Sequence, residues 1–462
     1  MRHGGKVNCS VRTLFPWAAT CFSLLAFTLS GCRPTPPTPD DFPFTPSALE
    51  SMILYEVFVR DFSDQGTFKA VENRLDELVD LGVNALWLMP IHPNGEVNAL
   101  GTYGSPYAVK DYTDVHPDFG SMTDFRDLVG ACHARGMRIL IDWVPNHTAW
   151  DHPWISDQPD WYTQNAQGQI VHPPGTNWMD VADLNYSQGG MRQAMLDAMR
   201  FWIADVGIDG FRCDYAEGVP QDFWEQAIAE MQAVNPDVIM LAEGAAPWLH
   251  DAGMNMTYSW DGYGAIWQVF ANGAAAHSIQ TSFEGESASL GPLDRRLRFS
   301  TNHDETSWDA PPPTLFGGQD GARSAQSIVT FLPGTPLVYN GQEVGSTQVL
   351  DLFERIPIDW STNPEMRPWM KTLLTARRDH PALVHGDISF SVQTNVFRAE
   401  RTYTDANGQT HRALLVAHVR EGNRTTDLSA WQGLDYADAW TGEAPPVSQA
   451  LGPHEVRLYL TP

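Results

Sequence analysis

Between about residue 50 and residue 341 the chain alternates short apolar runs with amphipathic stretches. That alternation is the mark of a parallel sheet whose strands are joined by crossover helices. The strand candidates are residues 53–62, 84–91, 138–144, 207–214, 238–243, 255–260, 296–300 and 335–341. Between them, 69–81, 121–135, 190–206 and 222–234 carry helical periodicity, and Ser121 with Asp124 reads as a helix-capping pair. Such a series suits an α/β fold, a (β/α)8 TIM barrel with insertions.

Four of the apolar runs end in polar groups. They are IDWVPNH at 141–147, DGFRCD at 209–214, MLAEG at 240–244 and FSTNHD at 299–304. Burying one such group is costly unless it is paired. Several at the same end of successive strands point to one polar pocket at the C-terminal rim, where parallel-barrel enzymes carry their active sites.

Two segments leave the alternation. Residues 147–186 are rich in Trp, Pro, Asn and Gln without a clear period, and form an excursion after the third strand. After about residue 376 the pattern turns to alternating β, which predicts an antiparallel β-sandwich over 376–462. The barrel is expected over 48–375, with 147–186 inserted into it.

The N-terminus reads as targeting rather than structure. Arg2, Lys6 and Arg12 precede an apolar stretch from Leu14 to Leu29, the charged-then-apolar order of an export signal over residues 1–31. The apolar run is short for a membrane span. Leu29-Ser30-Gly31-Cys32 resembles the bacterial lipobox, which implies lipidation at Cys32. A Pro-rich tether follows over 32–47. The expected location is extracytoplasmic, periplasmic or cell-surface, with the membrane touched only through the lipid.

Of the five cysteines, Cys9 and Cys21 fall in the signal and Cys132 and Cys213 in the body. Both body cysteines read as buried free thiols, and no Cys/His cluster has zinc spacing. The formal net charge of −27 argues against nucleic acid or anionic lipid as ligand, because phosphate binding needs an excess of Lys and Arg.

Taken together and in order, the strand-end motifs resemble glycoside hydrolase family 13, the alpha-amylase family. The motif Asp-x-x-x-Asn-His is met by Asp142, Asn146 and His147. Gly-x-Arg-x-Asp is met by Gly210, Arg212 and Asp214. Glu243 and the run Asn302-His303-Asp304 complete the set. The resemblance covers about residues 50–462 and implies a retaining reaction carried by two carboxyls. It makes Asp214 the nucleophile, Glu243 the general acid and then base, and Asp304 the third catalytic carboxylate, which favours the distorted sugar ring. Glu243 then needs to hold a proton near neutrality. Arg212, two residues before Asp214 on one strand, points the same way and is expected to keep Asp214 ionised. Tyr107, His147, Asn302 and His303 are the expected sugar contacts, and Asp142 the brace for Arg212. Asp111 and Tyr112 read as structural.

The pattern also departs from the family. Many relatives carry Lys-His three and four residues after the nucleophile, where this chain has Glu217 and Gly218. That removes one usual support for calcium. No cofactor is required by the chemistry, but the oxygens of Asn146, Asp183 and Asn185 would suit calcium. Gly104 stands where several exo-acting relatives have an acid that closes the donor end, which favours endo-action. Trp150, Trp154, Trp161 and Trp178 crowd the excursion. Most are expected to form its own small core, with one or two left for sugar stacking. The implied function is hydrolysis of alpha-1,4-linked glucans or maltooligosaccharides. The alternatives are a transglycosylase or sucrose- or trehalose-acting relative, and a glucan-binding surface protein without activity.

Overall fold

The computed structural model describes residues 49–462. The expected signal segment 1–31, Cys32 and the tether 32–47 lie outside the described residues. Eight parallel strands close into one barrel. In chain order they are β1 (Leu54–Val57), β2 (Ala85–Leu88), β3 (Arg138–Trp143), β4 (Gly210–Cys213), β5 (Ile239–Ala242), β6 (Met256–Tyr258), β7 (Arg295–Arg298) and β8 (Thr335–Tyr339). Order in space follows order in the chain, and β1 closes the ring by pairing with β8. Every expected strand is present, most of them shorter than expected, and β7 begins one residue earlier, at Arg295.

The two-residue period of a strand divides its side chains between two cores. Leu54, Ala85, Trp87, Leu140, Leu241 and Leu297 belong to one buried cluster. Tyr55, Val57, Leu86, Leu88, Ile139, Ile141, Phe211 and Met240 belong to a second, with residues of the surrounding helices. Glu56, Asp142, Arg212 and Glu243 are in phase with the first set, and so are directed to the barrel interior. Gly210 opens β4 because nothing larger fits: a Cβ there would lie 2.0 Å from the carbonyl oxygen of Ile239 on the neighbouring strand.

The helix Met122–His133 begins with the expected capping box between Ser121 and Asp124. The helical pattern over 69–81 instead forms two pieces, Phe68–Glu72 and Leu75–Leu81. The break falls at Asn73 and Arg74, where the Arg74 guanidinium lies 3.6 Å from the centre of the Trp360 ring. That contact comes from residues far away in sequence, so the local period cannot reveal it.

The excursion is a small folded unit. His147–Ala149 pairs antiparallel with Val181–Asp183, and Pro153–Asp157 forms a short helix between them. Trp154 packs on Trp161 with ring centres 5.0 Å apart, and Trp150, Trp154 and Trp161 lie against the barrel's helix-side core.

Residue 376 lies inside the helix Met366–Asp379, and the antiparallel part begins at Asp387 rather than at 376. It is a five-stranded sheet facing a two-stranded one. In its central strand, Thr410–His418, the run 413–417 is continuously apolar because both faces are covered there. Leu414 and Val416 pack within the sandwich, whereas Ala413, Leu415 and Ala417 pack toward the barrel helix that contains Ala325 and Ile328. Cys132 and Cys213 are buried free thiols, as expected. Among the described residues no helix is long and apolar enough to cross a membrane.

Candidate active site

The C-terminal ends of the strands surround a cleft of about 520 Å³. Tyr107, His147, Asp214, Glu243, His303 and Asp304 all line it, with Trp178 and Tyr215 on one part of the wall and Trp308 and Phe353 on another.

Arg212 sits beneath the cleft, wholly buried. Its Nη1 donates to Asp142 Oδ1 at 2.9 Å and to Asp214 Oδ1 at 3.0 Å, and its Nε donates to the Tyr258 hydroxyl at 3.1 Å. Its Nη2 lies 2.9 Å from Glu243 Oε2 as an ion pair, outside hydrogen-bond alignment. One guanidinium therefore neutralises part of the charge of three carboxyls. Asp142 is the expected brace: besides Arg212 it accepts from the Trp87 indole N–H and the Tyr107 hydroxyl, each at 3.1 Å.

The electrostatics differ from the expectation at Asp214. Burial, followed by the neighbouring Glu243 charge, pushes its carboxyl well above the usual carboxylate range, and the opposing pull of Arg212 is outweighed. The adjacent-charge rule has the right sign, but the cost of desolvation is larger in this closed site. Burial likewise raises Asp142 to about 6 against the pull of Arg212. His147 is lowered to about 4 by burial, so its ring is neutral at pH 7. His303 behaves in the opposite way. Burial works against its charge, but Asp304 and Glu56 overcome this and raise it to about 9.

Two backbone features bring Glu243 to Asp214. Tyr215 has a left-handed conformation (φ +42°), rare outside glycine. This turn directs the Tyr215 N–H onto Glu243 Oε2 at 2.7 Å, while the Ala216 N–H donates to the Glu243 carbonyl at 3.1 Å. Glu217 then holds the loop beyond Glu243, its Oε1 accepting from the backbone N–H groups of Ala245 and Ala246 at 2.7 and 3.0 Å. The sequence shows Glu217 in place of the usual lysine but not what its carboxylate holds. The missing signal was spatial, since the loops after β4 and β5 are neighbours only in the closed barrel.

Asn302 departs from its expected place among the sugar contacts. It is completely buried, and its Oδ1 accepts from the Glu305 N–H at 2.9 Å, capping the helix His303–Trp308. It shapes the turn that presents His303 and Asp304. Tyr112 is structural as expected, its hydroxyl donating to the carbonyls of Val144 and His147. Of the excursion's tryptophans, Trp178 reaches the cleft, 5.6 Å from the His147 ring and 5.2 Å from that of Tyr215. Gly104 has φ +71°, and a Cβ there would lie 2.6 Å from the Asn94 amide nitrogen, so the turn itself disfavours an acid at that position.

Each of the side chains whose oxygens were expected to suit calcium has neighbours within the protein. Asn185 Oδ1 accepts from the N–H and hydroxyl of Ser187. Asp183 interacts with Thr163 and His172, and the Asn146 amide nitrogen lies 3.3 Å from His147 Nδ1.

A closed parallel barrel whose rim carries three carboxyls, two histidines and a tyrosine in one cleft, over a buried arginine, has the paired carboxyls that glycoside-acting enzymes of this class use. Comparison with known proteins bears this out. The family "Alpha amylase, catalytic domain" matches residues 53–180 and 160–258. Alpha-amylase MalA of Haloarcula japonica is 30% identical over 427 residues, covering 86% of this chain and 59% of the relative. Alpha-amylase 3 of Dictyoglomus thermophilum is 30% identical over 353 residues, covering 68% of each. A shorter match, 35% over 212 residues, is to an alpha-1,4-glucan:maltose-1-phosphate maltosyltransferase of Cereibacter sphaeroides, covering 41% of this chain and 31% of that one. Among solved structures, an alpha-amylase from Lactobacillus plantarum superposes with a TM-score of 0.79 at 28% identity, over 90% of this chain and 99% of the other. The chain belongs to the alpha-amylase family. It spans about three fifths of the length of the Haloarcula relative.

Proposed function

We propose that this protein hydrolyses alpha-1,4-glucosidic bonds of starch-like glucans or maltooligosaccharides with retention of configuration. The observation that carries this reading is the grouping of Asp214 and Glu243 on one guanidinium, with Asp304 across the same cleft. Double displacement requires Asp214 charged and Glu243 protonated at the outset. Asp214 attacks the anomeric carbon as Glu243 protonates the departing oxygen. Glu243 then draws a proton from water, which releases the sugar from Asp214. His147 and His303 meet hydroxyls of the sugar, Tyr107 forms its platform, and Asp304 favours the distorted ring. Lipidation at Cys32, with the body held outside the cytoplasm, completes the proposal, as does endo-action from the open donor end at Gly104; the chemistry itself requires no cofactor.

The test takes the soluble body from about residue 40 with amylose, maltoheptaose, pullulan and sucrose, beside Asp214→Asn. Products and anomeric form are followed by proton NMR in the first minutes. Alpha-anomeric maltooligosaccharides from wild type alone support the reading. Longer or rearranged products move it to a transferase, the activity named for the Cereibacter relative. Tight glucan binding with no turnover moves it to a binding protein.

A further inference from the structure

Glu56, at the penultimate position of β1, is wholly buried and absent from every motif above. Its Oε1 lies 2.5 Å from His303 Nδ1, and its Oε2 has no hydrogen-bond partner. Burial raises the Glu56 carboxyl above its ordinary range, and the charges of His303 and then Arg212 pull it back, because a buried carboxylate with a single bond is costly unless that bond is to a cation. On the far side of the same ring, His303 Nε2 lies 2.7 Å from the Tyr107 hydroxyl and 3.5 Å from Asp304 Oδ2. The Tyr107 hydroxyl lies 3.1 Å from Asp142 Oδ2, and Asp142 in turn holds Arg212. A continuous polar chain thus runs from Glu56 to the guanidinium beneath Asp214 and Glu243.

The protonation of His303 sets the direction of that chain. As an imidazolium it donates at both nitrogens, so the Tyr107 hydroxyl accepts from it and gives its own proton to Asp142. As a neutral ring donating to Glu56, its Nε2 becomes an acceptor. The Tyr107 proton then turns away from Asp142, which leaves that carboxylate short of one donor. We propose that Glu56 is a positioning residue that holds His303 as a doubly donating imidazolium at neutral pH and so orients Tyr107 on Asp142. For its effect on turnover this rests on the glycosidase reading, but the His303 state can be read without turnover.

The charged and titratable groups facing His303 are Glu56 from β1, Tyr107 from the loop after β2, Asp142 from β3, Arg212 from β4 and Asp304 beside it. Arg212 alone opposes the imidazolium, while Glu56 and Asp304 favour it and overcome the burial that resists it, raising the ring to about 9.

The experiment is a nitrogen-15 NMR titration of histidine-labelled protein from pH 6 to 10, with the His303 signal assigned by its loss in His303→Gln. In wild type, both ring nitrogens of His303 should be protonated at pH 7.5. In Glu56→Gln the midpoint should fall by about 1–3 pH units, the effect of removing an opposite charge at contact distance. kcat/KM on maltoheptaose should then decline at lower pH than in wild type. A neutral His303 in wild type at pH 7.5 would overturn the inference without any variant, and so would an unchanged midpoint in folded Glu56→Gln. An inactive wild type with the expected titration would instead sink the glycosidase reading and leave the Glu56 assignment standing.

Discussion

At the scale of single residues, burial decides more than proximity. Asp214 has an arginine at 3.0 Å, yet its proton affinity is raised because desolvation exceeds that attraction. His147 illustrates the same balance with a sign that can be tested. Its folded pKa, about 4, lies below the ordinary 6.5. A group lowered in this way contributes stability above pH 6.5 that is lost as pH falls through 4. His147→Gln should therefore lose less stability between pH 6.5 and 4 than wild type does. Urea midpoints measured across that window check this, and equal losses would refute it. The meeting of Asp142, Arg212 and Asp214 was legible in sequence because their two motifs end neighbouring strands. The contacts of Glu56, Tyr215 and Glu217 were not, because each meets a residue brought to it by barrel closure.

At the scale of elements, the loops after β4 and β5 behave as one piece. Glu217 anchors the backbone beyond Glu243 with two hydrogen bonds, and Tyr215 reaches the carboxyl itself. Glu217→Gln keeps the shape but weakens both charge-assisted bonds. Its kcat should fall by up to about 10²-fold, the effect of a misplaced catalytic group, with KM nearly unchanged. Steady-state kinetics on maltoheptaose make the comparison, and a rise in KM alone would place Glu217 in sugar binding instead. The strands themselves were readable from apolar runs, since a parallel sheet covered on both faces leaves few polar positions. The break at Asn73 and Arg74 was not, because a contact with distant Trp360 overrides a continuous local period.

At the scale of the molecule, barrel and sandwich share a core. Phe397, Ala399, Leu415 and Leu458 belong to the same cluster as Leu54, Trp87 and Ile328. Arg401, in the sandwich, donates to the carbonyls of Phe331 and Leu383 across the junction. Truncation after Gly386 should expose this apolar face. The shortened chain should then be insoluble, or melt at a much lower temperature, when expressed beside the full body. A truncated chain with an unchanged melting temperature would mean that the shared cluster contributes little. The sequence by itself determined the barrel, its order of strands and the identity of the main carboxyls, because strand period and motif order are local and linear. Only the tertiary structure decided that Asn302 caps a helix, that Glu217 holds the loop beyond Glu243, and that Glu56 meets His303. Each of those depends on which side chains a closed ring places within hydrogen-bond distance, and linear spacing carries no record of that.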